Sequence, residues 1–266
     1  MVLYNAGPSL TLQERMFGQH DEILDCAFVG PNEEHLAIAP NESEIRILNV
    51  QTQSCEVVPG HRDTVLCLDR DISGEWLASG SKDHEARIWK LDFTEDQKPE
   101  LTCFAILKGH TGSVSAIAMP RRTPGNRPPF VITGSDDRTV KCWDMSTGTT
   151  TTPFTPRSMY TQKAHDKDIN SIDISSDDKL FATASQDRTV KIFSVEDGQT
   201  IGVLKGHRRG VFSAKFSAAE RVLVSGSGDS TVKLWSLTDF ACLKVLLIPT
   251  ILTNRRSKDI PMPFTR

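Results

Sequence analysis

The chain has 266 residues, of which 38% are apolar and 24% are charged, a composition typical of a globular protein with a sizeable core. Its formal net charge of −3 excludes a global electrostatic attraction to nucleic acid or anionic lipid, so such binding would require a local patch. The six cysteines include no Cys-x-x-Cys pair, which favours buried thiols in a reducing compartment over zinc ligands.

The first 19 residues are predicted to form a disordered start and one outer strand, over residues 9–17, whose own blade is missing. They lack the basic and apolar regions of a secretory signal. No apolar run in the chain approaches about 18 residues, the usual lower limit for a membrane span. We therefore expect an intracellular, soluble protein without a membrane partner.

From residue 20 onward one layout recurs along the chain. A His is followed by two runs of alternating apolar residues, an Asp 22 or 27 residues after the His, and an aromatic residue six positions later. Alternation with a period of two predicts half-buried strands. The first copy, which starts at His20, is degraded. The copies are predicted at approximately residues 20–58, 60–107, 109–163, 164–205 and 206–248.

The boundaries of these copies carry a family resemblance. Gly-His pairs occur at His61, His110 and His207, with an Ala-His variant at His165, and Trp143 begins an intact Trp-Asp pair. The pattern resembles the WD-repeat family, in which each such frame encloses one four-stranded blade. The resemblance implies an all-β WD-repeat β-propeller of about five blades. We expect an incomplete, open part of a seven-bladed ring, although five blades could also close.

The resemblance also implies one buried hydrogen-bonded network in each blade, built from His, Ser or Thr, Asp and Trp. In the first copy Ile38, Glu42 and Leu48 occupy the network positions, so that blade is expected to be the loosest. In the fourth copy Phe193 lacks the indole donor. The expected network residues are His61, Ser79, Asp83 and Trp89; His110, Thr133, Asp137 and Trp143; His165, Thr183, Asp187 and Phe193; and His207, Ser225, Asp229 and Trp235.

The Ser, His and Asp of these sets are also the residue types of a hydrolase triad. A catalytic triad occurs once, in a cleft, whereas this set recurs at nearly fixed spacing. We find no Gly-x-Ser-x-Gly elbow and no phosphate-binding Gly-rich loop followed by Lys. The sequence therefore predicts no enzyme activity, cofactor, metal site or small-molecule substrate.

Two sets of basic residues are candidate contacts for a partner or RNA. The first lies in a Pro-rich insertion that could clamp phosphates or an acidic segment, or be only a solvated loop. The second follows the His of a repeat, and could dock a partner or pair with neighbouring acids. The candidates are Arg121, Arg122 and Arg127 in the first set, and Lys167, Arg208 and Arg209 in the second.

Two polar connecting segments are predicted between repeats. Residues 92–100 are expected to be a polar connector, and residues 146–156 a flexible linker that is too polar to pack. After residue 248 the expected next Gly-His pair does not follow. Residues 249–266 are expected to be an irregular tail, and we favour a truncation or a mispredicted exon end over a new functional tail.

Residues 50–245, and most specifically stretches within 164–244, resemble the nucleolar WD-repeat subunits of the small-subunit processome. The resemblance implies a non-catalytic scaffold in the nucleus and nucleolus that acts in pre-ribosomal RNA processing and small-subunit biogenesis. Its partners would be other WD-repeat and processome proteins, with a small nucleolar ribonucleoprotein and pre-ribosomal RNA contacted directly or indirectly. The alternative is a WD-repeat adaptor in signalling or in a ubiquitin-ligase complex. The stretches that carry this resemblance are residues 164–171, 178–189, 206–211 and 234–244.

Overall fold

A computed structural model describes residues 2–5, 11–15, 22–30, 32–94, 98–122, 127–146 and 153–247. These residues form 22 β-strands and no helix. The chain divides into two compact units. Unit 1 comprises residues 1–114 and 147–156, and unit 2 comprises residues 115–146 and 157–266. Within the described ranges there is accordingly no helix long and apolar enough to cross a membrane.

Unit 1 contains a two-stranded hairpin, β1–β2, and two four-stranded antiparallel sheets, β3–β6 and β7–β10. In each four-stranded sheet the strands lie side by side in chain order, as a meander. The strands are β1 (Val2–Asn5), β2 (Thr11–Arg15), β3 (Ile23–Val29), β4 (His35–Pro40), β5 (Ile45–Asn49), β6 (Cys55–Val58), β7 (Val65–Arg70), β8 (Trp76–Ser81), β9 (Glu85–Phe93) and β10 (Pro99–Lys108).

Unit 2 contains three further antiparallel meanders of four strands, β11–β14, β15–β18 and β19–β22. The first residue of β11 belongs to unit 1. The strands are β11 (Val114–Ala118), β12 (Phe130–Ser135), β13 (Thr139–Asp144), β14 (Ser158–Lys163), β15 (Ile169–Ile174), β16 (Leu180–Ser185), β17 (Thr189–Ser194), β18 (Thr200–Lys205), β19 (Val211–Phe216), β20 (Val222–Ser227), β21 (Thr231–Ser236) and β22 (Cys242–Leu247). The prediction of five four-stranded blades is confirmed by the five sheets.

The cores lie between the faces of neighbouring sheets within each unit. In unit 1, Ile47 of the first sheet packs in one cluster with Leu77 and Trp89 of the second. In unit 2, Ile192 packs with Leu223 of the following sheet. Central strands are therefore covered on both faces, and every side chain of β8 is buried. A strand that is covered on both faces does not need polar residues at alternate positions, which explains why the sequence of β8 shows no clear alternation of apolar and polar residues.

Several expectations about connecting segments differ from the structure. Two strands, β9 and β10, extend into the two ends of the expected polar connector, at residues 92–93 and 99–100, and pair Phe93 with Pro99. The expectation that residues 146–156 do not pack is wrong at Phe154. Its amide donates to the Phe104 carbonyl at 3.2 Å, and the two rings meet edge to face with centroids 5.1 Å apart. The polar composition of the segment predicted no packing, because one aromatic residue changes the average composition little even when its ring contacts the core.

The N-terminal residues form a strand where a disordered start was expected, because Val2–Asn5 pairs with Thr11–Arg15. All six cysteines are free thiols, but the expectation that most of them are buried is wrong, because only Cys67 and Cys142 are buried. Cys26, Cys55 and Cys242 are exposed, since the side chains of β3, β6 and β22 lie largely in solvent. The predicted tail, residues 249–266, lies outside the described residues.

Candidate functional site

The sheet β7–β10 contains a complete hydrogen-bonded network of the expected residues. His61 Nδ1 lies 2.9 Å from Asp83 Oδ2, and His61 Nε2 lies 2.8 Å from Ser79 Oγ. Trp89 Nε1 donates to the same hydroxyl oxygen at 2.8 Å. Because an ionised carboxylate only accepts, Nδ1 carries the imidazole proton, and Nε2 accepts from the Ser79 hydroxyl. Each polar atom in this buried chain thus has a partner.

The last sheet, β19–β22, repeats this geometry. His207 Nδ1 lies 3.1 Å from Asp229 Oδ2 and His207 Nε2 lies 2.7 Å from Ser225 Oγ. Trp235 Nε1 donates to Ser225 Oγ at 2.8 Å. The network ties the loop before β19 to the turn between β20 and β21, since His207 and Asp229 belong to these two segments.

The sheet β15–β18 contains a shortened network. His165 bonds to Asp187 at 2.8 Å and to Thr183 at 2.6 Å. Phe193 occupies the position of the indole and has no donor, so the Thr183 hydroxyl lacks that third contact. The fold therefore keeps the His–Asp tie between the loops without the indole bond.

In the sheet β11–β14, three residues of the expected network, Thr133, Asp137 and Trp143, lie in unit 2. Trp143 Nε1 donates to Thr133 Oγ1 at 2.8 Å. The Asp137 carboxylate accepts from the Thr139 amide at 2.9 Å and from its hydroxyl at 2.6 Å. His110 belongs to unit 1, where it is buried.

The first sheet, β3–β6, has different interactions at the network positions. Glu42 forms an ion pair with Arg46 at 2.6 Å, and the side chains of His35 and Asn49 lie 3.2 Å apart. His20, the expected His of this copy, lies outside the described residues. The described part of this sheet therefore has no His–hydroxyl–indole chain, as its sequence predicts.

The network carboxyls are ionised at neutral pH. Burial opposes their ionisation, but hydrogen bonds from the imidazoles, from neighbouring hydroxyls and from backbone amides outweigh it. These bonds hold the pKa of Asp83, Asp187 and Asp229 well below the usual range of a carboxyl. Ser79 is fully buried and Ser225 is 1% exposed, so these hydroxyls are not presented to a substrate. The arrangement is that of a structural tie between loops.

Each network Asp is followed by a residue with a left-handed backbone, at the tip of the turn between the second and third strands. The φ angles are 69° at His84, 70° at Arg138, 73° at Arg188 and 62° at Ser230. Non-glycine residues seldom adopt this conformation. The Asp side chain compensates by accepting hydrogen bonds inside the turn, and the two Arg side chains at these tips are exposed.

The six candidate basic contacts fall into two groups that lie at opposite edges of the sheets. Arg121 and Arg122 follow β11, in the loop that leads to β12. Arg121 pairs with Asp173 at 2.8 Å, and the amides of both arginines donate to the Asp178 carboxylate at 2.7 and 2.8 Å. Arg127 lies in the same loop, beyond the undescribed residues 123–126. This loop is held within unit 2 by carboxylates of the neighbouring sheet.

Lys167, Arg208 and Arg209 lie at the other edge, and all three are exposed. The Arg208 amide donates to the network carboxylate of Asp229 at 2.8 Å, which fixes the loop while the side chain stays free. Among the residues that the structure describes, no carboxylate lies within 4.0 Å of these cationic groups. Pairing with neighbouring acids is therefore not observed for them.

The sequence analysis missed four further exposed cations at this edge. Two occupy the turn tips, directly after a network Asp, and two end the outer strands β14 and β18, two residues before a network His. Their fixed offset from the repeat residues was a usable signal. These residues are Arg138, Arg188, Lys163 and Lys205.

A family model described as "WD domain, G-beta repeat" matches the chain at residues 52–90, 101–144, 156–194 and 198–236. These matches cover more than half of the chain. The chain belongs to the WD-repeat family. Each match starts in, or two to three residues before, the outer strand of one sheet and ends in the third strand of the next, so the WD repeat is offset from the sheet by one strand. The interval predicted for each copy stays a prediction.

Among similar WD-repeat proteins are transducin beta-like protein 3 of Mus musculus, 40% identical over 213 residues, and that of Homo sapiens, 39% identical over 213 residues. Both alignments cover 77% of this chain, and 26% and 25% of the relative. U3 small nucleolar RNA-associated protein 13 of Saccharomyces cerevisiae is 34% identical over 208 residues, covering 74% of this chain and 25% of the relative. The chain thus spans about a quarter of the length of these relatives. WD-repeat proteins are in general non-catalytic scaffolds that bind other proteins.

Proposed function

We propose that this chain is a non-catalytic WD-repeat scaffold in the assembly of the small ribosomal subunit. The observation that carries the proposal is its 34–40% identity, over about three quarters of its length, to transducin beta-like protein 3 and U3 small nucleolar RNA-associated protein 13. The second name associates that protein with a small nucleolar RNA. The scaffold would act in pre-ribosomal RNA processing, in the nucleolar small-subunit processome.

The geometry supports a role in binding rather than in catalysis. The recurrent Ser, His and Asp side chains form hydrogen bonds with one another inside the sheets. The described residues also contain no cluster of three or more His, Cys, Asp or Glu side chains that could hold a metal ion. The loops at the sheet edges are the exposed, sequence-specific part of the fold, and such loops usually carry the function of a rigid scaffold. Its partners would be other WD-repeat and processome proteins, together with small nucleolar ribonucleoprotein and pre-ribosomal RNA.

The proposal is tested by expressing the tagged chain at low level in cells and locating it by fluorescence microscopy. Affinity purification with quantitative mass spectrometry and RNA sequencing then identifies its partners. We expect a nucleolar signal, with enrichment of small-subunit assembly proteins and U3 RNA over a matched control, a guanine nucleotide-binding protein β subunit carrying the same tag. Recovery of receptors, GTPase-coupled proteins or ligase subunits without nucleolar proteins would instead support the adaptor role.

A further inference from the structure

Unit 2 carries a continuous loop surface at one edge, which we name the basic rim. Its loops contact one another directly. The Arg138 carbonyl accepts from the Ala164 amide at 3.0 Å, and the Asp168 carbonyl accepts from the Gln186 amide at 3.0 Å. A Cβ placed on Gly210 would lie 2.1 Å from Gln186 Oε1, so the next loop packs against the same turn. The basic rim consists of residues 136–138, 163–168, 186–188 and 205–210.

Exposed positive charge dominates this surface. Seven Lys and Arg side chains are exposed there, and none forms an ion pair among the described residues. Only three acidic side chains of the rim are exposed. The network carboxylates below are shielded, with 11% of the Asp187 side chain and 6% of the Asp229 side chain accessible. The seven cations are Arg138, Lys163, Lys167, Arg188, Lys205, Arg208 and Arg209, and the three acids are Asp136, Asp166 and Asp168.

The absence of pairing partners is informative because the same unit pairs its cations elsewhere. At the opposite edge Arg121 and Lys215 both bind Asp173, at 2.8 and 2.9 Å. The rim cations have no such carboxylate. Cations on one surface that outnumber the neighbouring acids and form no ion pair with them repel one another, and an external polyanion relieves this repulsion while it releases its own counterions.

An exposed aromatic ring lies at the end of the rim. Phe212 is 54% exposed. A Cβ placed on Gly228 would lie 3.0 Å from Phe212 Cε2 and 3.8 Å from Arg209 Cβ, so the ring and the arginine flank the same glycine. A ring beside arginines suits a nucleic-acid base, which stacks on the aromatic face while its phosphates contact the guanidinium groups. An acidic peptide would engage the cations but gain nothing comparable from the ring.

We infer that the basic rim, together with Phe212, binds single-stranded RNA. Phosphates lie along the row of Lys and Arg side chains, and an unpaired base stacks on Phe212. A duplex keeps its bases stacked internally, so the ring selects single strands. The inference rests on the proposed function for its biological setting and deepens it, because it names RNA as a direct partner of the scaffold.

The inference is tested with the complete 266-residue chain and a fluorescein-labelled oligouridylate of about 12 nucleotides, within the usual range of single-strand sites, by fluorescence anisotropy. Each phosphate that is neutralised contributes a slope of about −0.7 in log K against log salt. Four or more contacts therefore predict a slope of about −3 or steeper. Unlabelled oligouridylate should displace the probe far better than polyglutamate of equal charge.

Two rim variants separate the two kinds of contact. The double variant Arg208→Gln/Arg209→Gln should weaken binding at least about tenfold and reduce the magnitude of the salt slope by about 1.4, the contribution of two phosphates. Phe212→Ala should weaken binding by about five- to hundredfold with the slope unchanged, because stacking involves no counterion release. The matched control Lys179→Gln/Arg221→Gln removes two exposed cations from the opposite edge and should change binding less than about twofold.

Three outcomes would overturn the inference: no binding at low salt, equal displacement by polyglutamate, or an equal loss in the control variant. Circular dichroism melting of each variant checks that the fold is retained. Ultraviolet crosslinking in cells separates this inference from the proposed function. A rim variant that loses RNA crosslinks but still purifies with small-subunit assembly proteins supports both. A wild-type chain that crosslinks to RNA without those proteins overturns the proposed function alone.

Discussion

The rings of Phe181 and Phe193 stack nearly parallel, with centroids 4.9 Å apart and planes inclined by 11°. They are directly opposed on β16 and β17, and both are fully buried. In the last sheet the same pair of positions holds Leu223 and Trp235. The fourth copy has thus exchanged an indole bonded to a hydroxyl for a stacked pair of rings, and the larger residue opposite fills the volume that the smaller ring leaves.

This exchange predicts that Phe193→Trp destabilises the protein although it restores the family residue. The larger indole must enter a filled core, which costs about 1–3 kcal/mol in the free energy of unfolding. Adding Phe181→Leu should recover much of the loss, since the pair then matches the Leu–Trp pair and Thr183 gains its donor. Urea unfolding of the four proteins of the double-mutant cycle measures the coupling, and strict additivity would contradict the exchange.

The lowered pKa of the network carboxyls predicts acid sensitivity. A carboxyl whose pKa is depressed in the folded state stabilises the fold above the unfolded value of about 3.9, and this stability is lost as the pH falls further. Between about pH 5 and pH 3 the free energy of unfolding should therefore fall less in Asp187→Asn than in the wild type. Asp166→Asn, an exposed neighbour of the same charge, serves as control and should follow the wild type. Parallel wild-type and Asp187→Asn curves would count against the prediction.

Asp173 should contribute more to stability than either of its cationic partners. Its side chain is 6% exposed and binds Arg121, Lys215 and the Phe216 amide. Asp173→Asn removes the charged acceptor that Arg121 and Lys215 share and should cost about 2 kcal/mol. Lys215→Gln should cost at most about 1 kcal/mol, because the Lys215 side chain is 59% exposed. Equal losses in chemical denaturation would show that Asp173 is not the centre of this cluster.

The networks were predictable from sequence because they depend on fixed offsets. His and Asp lie 22 residues apart in three copies, and a repeat transfers the role of each residue from one copy to the next. The role of Arg121 was not predictable in this way. Its partner Asp173 lies 52 residues away, in a different copy, and only the packing of neighbouring sheets reveals it.

The basic rim is a second feature that depends on contacts between copies and was therefore not predictable from the repeat alone. Arg138 and Arg188 belong to it because a left-handed backbone places them at turn tips, and because the four loop segments of the rim contact one another. Their sequence positions carry the repeat offset but no indication that the loops of neighbouring copies contact one another at this edge. Charge clusters that span several copies therefore depend on turn geometry and sheet packing, and only the structure reveals them. Contacts inside one copy can be predicted from the repeat pattern.

Within unit 1, the first sheet should open more readily than the second. Sheet β7–β10 has the buried Ser79 hydroxyl bound by both His61 and Trp89, whereas at the equivalent loop of β3–β6 Glu42 forms an ion pair with Arg46. The Glu42 side chain of this pair is 40% exposed, so the pair contributes little. Hydrogen-exchange mass spectrometry should therefore show faster amide exchange in residues 35–49 than in residues 76–90.

The variant Ser79→Ala provides the matched comparison within the second sheet. It leaves the two nitrogens bound by Ser79 without a partner, at a cost of about 1–3 kcal/mol. Exchange in residues 76–90 should then approach that of residues 35–49, while residues 35–49 themselves change little. If the two peptides already exchange equally in the wild type, or if Ser79→Ala accelerates both alike, the network does not set the local stability of its sheet.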